Sequence, residues 1–347
     1  MPQNGGRLIV DCWWLMRSIP FILAMEASVT AVDTKLNTSQ LPLSPQRCRK
    51  RAAESSGSRR LVGFLALVFL LAVAFFRPLI SLTTYALGTD IHSHIVIIPF
   101  ISAYLIYVRR KELLTDYTFA PGWTSILLAA GIASLLAAGG LIKTNAPLSY
   151  NDYLSLIAFS FACLVSAGGF LFMGRKWMAS AAFPFAFLIF MVPLPDGVVD
   201  WLETASKLAS AEAAALFFSI TGTPVLRDGI MFQLPGIVIE VAQECSGIRS
   251  SWVLFITSLL ASYLFLKSPL RRAVLVALVI PLAILRNGFR ILVIGLLCVH
   301  VGPQMIHTVI HHRGGPLFFA LSLIPLFVLL WWLRRGEIAT SSSRETG

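Results

Sequence analysis

Long apolar runs, separated by short polar connections, order the chain from residue 61 onward. Eight of them read as helices: 61–76 with an extension past Arg77, 95–108, 123–142, 153–173, 178–194, 248–266, one starting at Ala273, and 316–333. A bilayer core about 30 Å thick takes about 20 helical residues. The pattern therefore predicts an all-α polytopic membrane protein with about eight transmembrane helices. The second run is short for a crossing unless His94 and its neighbours enter the membrane.

One sizeable polar segment interrupts the pattern, at about 195–247. Its first part, 198–218, has apolar residues at helical spacing with Asp200, Glu203, Lys207 and Glu212 between them. That spacing predicts an amphipathic helix lying on the outer surface. Its second part, PVLRDGIMFQLPGIVIEVAQECSG, carries β-branched runs around Asp228-Gly229 and Pro235-Gly236. Those dipeptides favour turns, so a small β-hairpin is expected. No internal repeat of the kind found in transporters is visible.

Charge adds orientation. Basic clusters precede the first run and recur at Arg109-Arg110-Lys111, Arg175-Lys176, Lys267 with Arg271-Arg272, and Arg334-Arg335. They fall at every second connection, as the positive-inside rule requires of cytoplasmic loops. Both termini are then cytoplasmic and the 195–247 insert faces outward. Residues 1–60 read as a flexible basic cytoplasmic tail, 61–335 as the membrane domain and 336–347 as a cytoplasmic C-terminal tail. The apolar stretch 19–24 is too short for a span or a signal h-region. Translation starting at Met25 instead of Met1 would fit the same reading.

Composition supports the membrane class. Hydrophobic residues make up 56% and charged residues 13%, against about 25% charged in soluble domains. Mean hydropathy is +0.77. The net charge of +11 is spread over the connections rather than gathered in a patch, which argues against nucleic-acid binding.

Candidate chemistry gathers at one predicted membrane level. Cys245, in Glu-Cys-Ser-Gly, precedes the sixth run, and Gly247 after Ser246 permits unusual backbone there. A thiol with a pKa near 8.5 needs a nearby cation or base to act as a nucleophile. The seventh run supplies Arg286 and Arg290, four apart and so on one face, with Asn287 beside them. Counting from Arg271-Arg272 puts Arg290 near the outer boundary and Arg286 one turn (about 5.4 Å) deeper. Intramembrane arginines usually face protein or water and mark function. The last outer loop offers His307, His311 and His312 as proton carriers. His307 and His311 have i, i+4 spacing, but without an intervening carboxylate or an HExxH motif no metal site is expected. No cofactor is implied.

At these residues the sequence resembles the exosortase/archaeosortase family of integral-membrane cysteine transpeptidases, over about residues 60–335. VAQECSGIRS is similar to that family's nucleophile motif and is the most specific match. Asn287 to Arg290, Asn-Gly-Phe-Arg, resembles its arginine motif. MVPLPD resembles its Pro-x-Pro segment, and HSHIVIIPFISAYLIYVRR its early histidine-containing span. The resemblance makes Cys245 the nucleophile, Arg290 the essential arginine and a histidine of the last outer loop the third member. Spacing to Gly315 and Phe319 favours His311 over His312. Ile95 stands where relatives often have Gly, so no role passes to His94.

The resemblance implies a protease/transpeptidase in a bacterial inner membrane. Its partners would be exported proteins with a C-terminal sorting signal of the Pro-Glu-Pro type, membrane lipids, and a lipid or glycan acceptor. Cleavage at the outer face would pass through a Cys245 thioester. Two alternatives remain open. Arg286 and Arg290 would also suit an anion path in a transporter or channel, and the chain could be a non-catalytic subunit of polysaccharide export or assembly.

Overall fold

The computed structural model describes residues 45–89, 91–111, 113, 117–143, 149–235, 237–241, 247–302 and 309–345, with backbone alone for 45–56, 142–143, 309–316 and 338–345. It divides into two compact units, residues 1–67 and 68–347. Helix α1 (Pro45–Ala74) runs across that division. All site candidates lie in the second unit.

Prolines set several helix ends. A proline ring collides with the carbonyl four residues earlier. Pro78 thus ends α1 at Ala74, and the chain resumes as α2 (Phe76–Gly88). A 3-10 turn (Ser93–Val96) leads into α3 (Ile98–Val108). Helices α4 (Pro121–Lys143) and α5 (Tyr150–Phe172) pack closely on small residues. There Ser160 Oγ donates to the Gly131 carbonyl and Ser134 Oγ to the Leu156 carbonyl, each at 2.8 Å. Small residues and interhelical hydroxyl bonds of this kind hold helices together where lipid offers no hydrophobic drive.

The fifth apolar run is broken. Pro184 works against the Ser180 carbonyl, so α6 (Arg175–Ser180) ends there and α7 (Ala182–Phe187) starts afresh, followed by a 3-10 turn at Leu188–Met191. After Pro193-Leu194-Pro195 comes α8 (Asp196–Ile220), bent by 91° from the helix before it. The first turn of α5 clasps this bend. Ser155 Oγ donates to the Pro193 carbonyl (2.8 Å), Asn151 Nδ2 to the Leu194 carbonyl (2.7 Å), and Asp152 accepts from the Asp196 N–H (2.9 Å). Carbonyls freed by the prolines are thereby satisfied inside the protein.

A three-stranded antiparallel sheet follows: β1 (Leu226–Asp228), β2 (Met231–Leu234) and β3 (Ile237–Glu240), in the order β1-β2-β3. Asp228 pairs with Met231 and Leu234 with Ile237, so the chain reverses after Asp228 and after Leu234, and the expected hairpin has one further strand. Gly229 takes φ +60°, the left-handed conformation that a two-residue hairpin turn favours. Helices α9 (Ile248–Phe265), α10 (Pro269–His300) and α11 (Val309–Glu345) complete the fold.

Among the described residues, six helices are long and apolar enough to cross a membrane, seven if the bent pair counts as one span. The expected eight crossings differ at two places: the second run forms an 11-residue helix, and the fifth is the broken segment. The architecture is an all-α polytopic membrane protein with a small sheet.

Basic residues from distant connections meet at one end of the bundle. Arg109 donates to the Tyr263 carbonyl (3.2 Å) and stacks over its ring, Arg272 donates to Leu266, and Arg271 donates to Leu333 (2.8 Å). The Arg175 backbone N–H donates to the Thr118 carbonyl (2.8 Å). The candidate site lies toward the opposite end of α9, at its N-terminus.

Candidate functional site

Helix α10 is the spine of the site. Its 32 residues extend about 48 Å, more than the roughly 30 Å of bilayer hydrocarbon. Its last turns are covered by protein: Ile291, Leu292, Ile294 and Cys298 share one core with Phe218 of α8 and with Phe232, Leu234 and Ile239 of the sheet. The glycines of α10 permit this cover. A Cβ at Gly288 would stand 2.6 Å from Ala213 Cβ, and one at Gly295 would stand 2.6 Å from the Phe218 ring. Helix α8 therefore lies directly against the Gly288/Gly295 face of α10, across the helix from the two arginines, and reaches Asn287 between them.

Arg286 and Arg290 are both buried, 8% and 9% exposed, as is Asn287 at 2%. Arg286 Nη2 donates to the Gly247 carbonyl at 3.3 Å and to Ser251 Oγ at 3.1 Å. Asn287 Nδ2 donates to Ser210 Oγ of α8 at 2.9 Å. Its amide oxygen lies against Gly247, where a Cβ would come within 2.7 Å. Gly247 is in the left-handed region (φ +68°) and serves as the N-cap of α9, a conformation that L side chains rarely adopt. Its carbonyl also accepts from the Ser251 N–H (2.9 Å), Ser251 Oγ (2.8 Å) and Ser250 Oγ (3.0 Å).

The structure thus brings Gly247, Arg286 and Asn287 into one contact group and buries Arg290 on the next turn of the same helix. Cys245, Ser246 and His307 lie outside the described residues. His311 and His312 fall in the first turn of α11, where backbone alone is described.

Sequence reasoning missed several partners. Ser210 holds Asn287 and Ser251 holds Arg286, and Ser251 had a visible signal, four residues after Gly247 in the first turn of α9. His94 also approaches α9, accepting from Trp252 Nε1–H through Nε2 at 3.3 Å. Burial, with His92 nearby, holds His94 down to about 4, so its imidazole is neutral at neutral pH. Among the described residues no group of three or more His, Cys, Asp or Glu could hold a metal ion.

The transmembrane exosortase family model matches residues 83–328 of this chain. The match covers well over half of the 347 residues and contains all the polar groups described above. No curated protein and no solved structure matches the chain.

Proposed function

The chain belongs to the transmembrane exosortase family, and from that premise we propose that it cleaves the C-terminal sorting signals of exported proteins at the outer face of the inner membrane. Membership carries a membrane transpeptidase role in general. In the proposed reaction Cys245 is the nucleophile. Its thiolate attacks the amide carbonyl near the signal, the C–N bond breaks, and the C-terminal helix leaves as an amine. An acceptor, lipid or glycan, then resolves the thioester.

Arg290 supplies a fixed positive charge to the thiolate, and a charge in a water-poor site acts more strongly than in water. His311 takes the thiol proton and returns it to the leaving amine, with His312 as its alternative. Ser246 and Gly247 shape the turn that presents the thiol. Substrate comes laterally from the bilayer as a helix, which explains a nucleophile at a membrane boundary.

The observation that carries the reading is the fixation of Gly247 by Arg286 and Asn287. A left-handed glycine with its carbonyl held by a buried guanidinium fixes the N-terminus of α9, directly after the proposed nucleophile motif. Catalytic groups carried on such rigid element ends are held more precisely than those on loops. Thiol chemistry tests the proposal. A membrane-permeant alkylating reagent should abolish processing in membranes, and Cys245→Ser should be inactive before any reagent is added. Processing that survives alkylation of Cys245 would refute it.

A further inference from the structure

The small sheet has β1 and β3 outermost, and its register fixes which backbone groups each edge leaves over. The Val241 N–H donates to the Ile230 carbonyl (3.0 Å), which makes 230 and 241 a hydrogen-bonded pair. Such pairs alternate along an antiparallel ladder, so the next two are Phe232–Ile239 and Leu234–Ile237. The N–H and C=O groups of Val238 and Glu240 therefore point away from β2. On β1 the alternation turns only Arg227 outward, and its side chain ties that edge to α8 through Glu212 (2.7 Å). Among the described residues no hydrogen bond joins the Val238 or Glu240 backbone to another element. Both residues are exposed, Val238 by 55%. The strand is nevertheless firmly backed, because Ile239 packs in one core with Ile291 and Leu292 of α10. Unpaired strand edges invite pairing with another chain, and proteins commonly blunt them with Pro, Lys or a covering element. Within β3, Ile-Val-Ile-Glu, there is neither Pro nor Lys.

We propose that β3 is the docking edge for the polypeptide substrate: an extended segment of the exported protein, ahead of its membrane helix, pairs with Val238 and Glu240 as a fourth strand. This rests on the proposed processing of exported proteins and names where their chain is held. The edge itself selects the occupant. Two N–H and two C=O groups at alternate positions match the repeat of an extended peptide backbone, which binds sheet edges through main-chain hydrogen bonds. Side chains on the exposed face add a preference. Val238 stands in a row with Gln233 and with Leu226, itself 67% exposed, and so offers apolar contact. Glu240 stands in a row with Met231 and Asp228, so two carboxylates favour a basic side chain there. The chain then runs on from β3 to Gly247, the N-cap held by Arg286 and Asn287. A peptide held along β3 is thus bound by the element that leads directly into the fixed start of α9.

Cross-linking in membranes tests the pairing. The full chain carries Cys245→Ala, to hold substrate without turning it over, together with Val238→Cys. The co-expressed partner is an exported protein with a Pro-Glu-Pro-type signal and a single cysteine placed at successive positions ahead of its membrane helix. Mild oxidation should join the two chains at alternate positions, because successive side chains of an added strand face opposite ways. Equal yields at every position, or no cross-link, would overturn the proposal. So would a Val238→Cys homodimer that forms equally with and without substrate, which would mark the edge as an interface between copies. Val238→Pro gives an independent readout. It removes the outward N–H, takes no bond from the ladder, and proline is tolerated on an edge strand in that orientation. Compared with Val238→Thr, which keeps the N–H, it should raise the substrate concentration for half-maximal processing about tenfold. The change in maximal rate should be smaller, and the unfolding temperatures of the two variants should agree. Equal half-maximal concentrations would overturn the proposal. Cys245→Ala alone separates the two levels: if it still cleaves, the thiol reading fails; if it is inactive and the cross-links do not alternate, this inference alone fails.

Discussion

The Asn287 amide oxygen occupies the space that a side chain at residue 247 would need: a Cβ on Gly247 would stand 2.7 Å from it. Two elements 40 residues apart in sequence are thereby locked at one point, and the lock is directional. Asn287 is held from behind by Ser210.

Gly247→Ala should therefore destabilise the protein by more than the ~1–2 kcal/mol of left-handed backbone alone. Asn287→Ala removes the clash, so the double variant should be less destabilised than the sum of the singles. Thermal unfolding of detergent-solubilised protein measures this cycle. Additive losses would mean that the two residues do not compete for space.

Gly288→Leu should force α8 away from α10, because even a Cβ there stands 2.6 Å from Ala213 Cβ and 3.0 Å from its backbone. Overpacking of this kind costs about 1–3 kcal/mol. Loss of processing together with a lower unfolding temperature is expected. Ile280→Leu, at an exposed position on the same helix, should change neither.

Acid should weaken the fold through His94. Its folded value is lowered to about 4 by burial, against an ordinary 6.5. Between those values the unfolded chain binds a proton that the folded chain refuses, so the stability His94 contributes is complete above pH 6.5 and is lost as pH falls toward 4. His94→Gln should flatten the pH dependence of the unfolding temperature across that window. An unchanged slope would show that other groups carry it.

Topology can be read by labelling. Leu226→Cys lies on the exposed sheet and Arg335→Cys at the basic end. An outward-facing insert predicts that a membrane-impermeant maleimide reaches the first in spheroplasts and the second only after permeabilisation, relative to the parent protein. The reverse pattern would invert the proposed orientation.

How much of this could be read from the chain depends on range. Hydropathy alone located the long helices, because burial in lipid acts on every residue of a span. It could not separate the broken fifth run from a continuous one, although Pro184, Pro193 and Pro195 carried the warning. Arg286, Asn287 and Gly247 stood out as candidates because charge, amide and glycine are costly or unusual at a membrane boundary. Their partners did not. Ser210 is one serine in a helix of small residues, and nothing local announces that it meets Asn287, 77 residues away. The same holds for Trp252 and His94, which only the packing of α9 against the turn before α3 brings together.

The most direct test of the central claim is the mass of a co-expressed exported protein with a Pro-Glu-Pro-type C-terminal signal. It should be compared in membranes holding wild-type protein and Cys245→Ala at equal expression. The account predicts loss of the C-terminal helix with wild type alone, any added mass identifying the acceptor. Equal masses in the two membranes, with the wild-type sample processed, would contradict it.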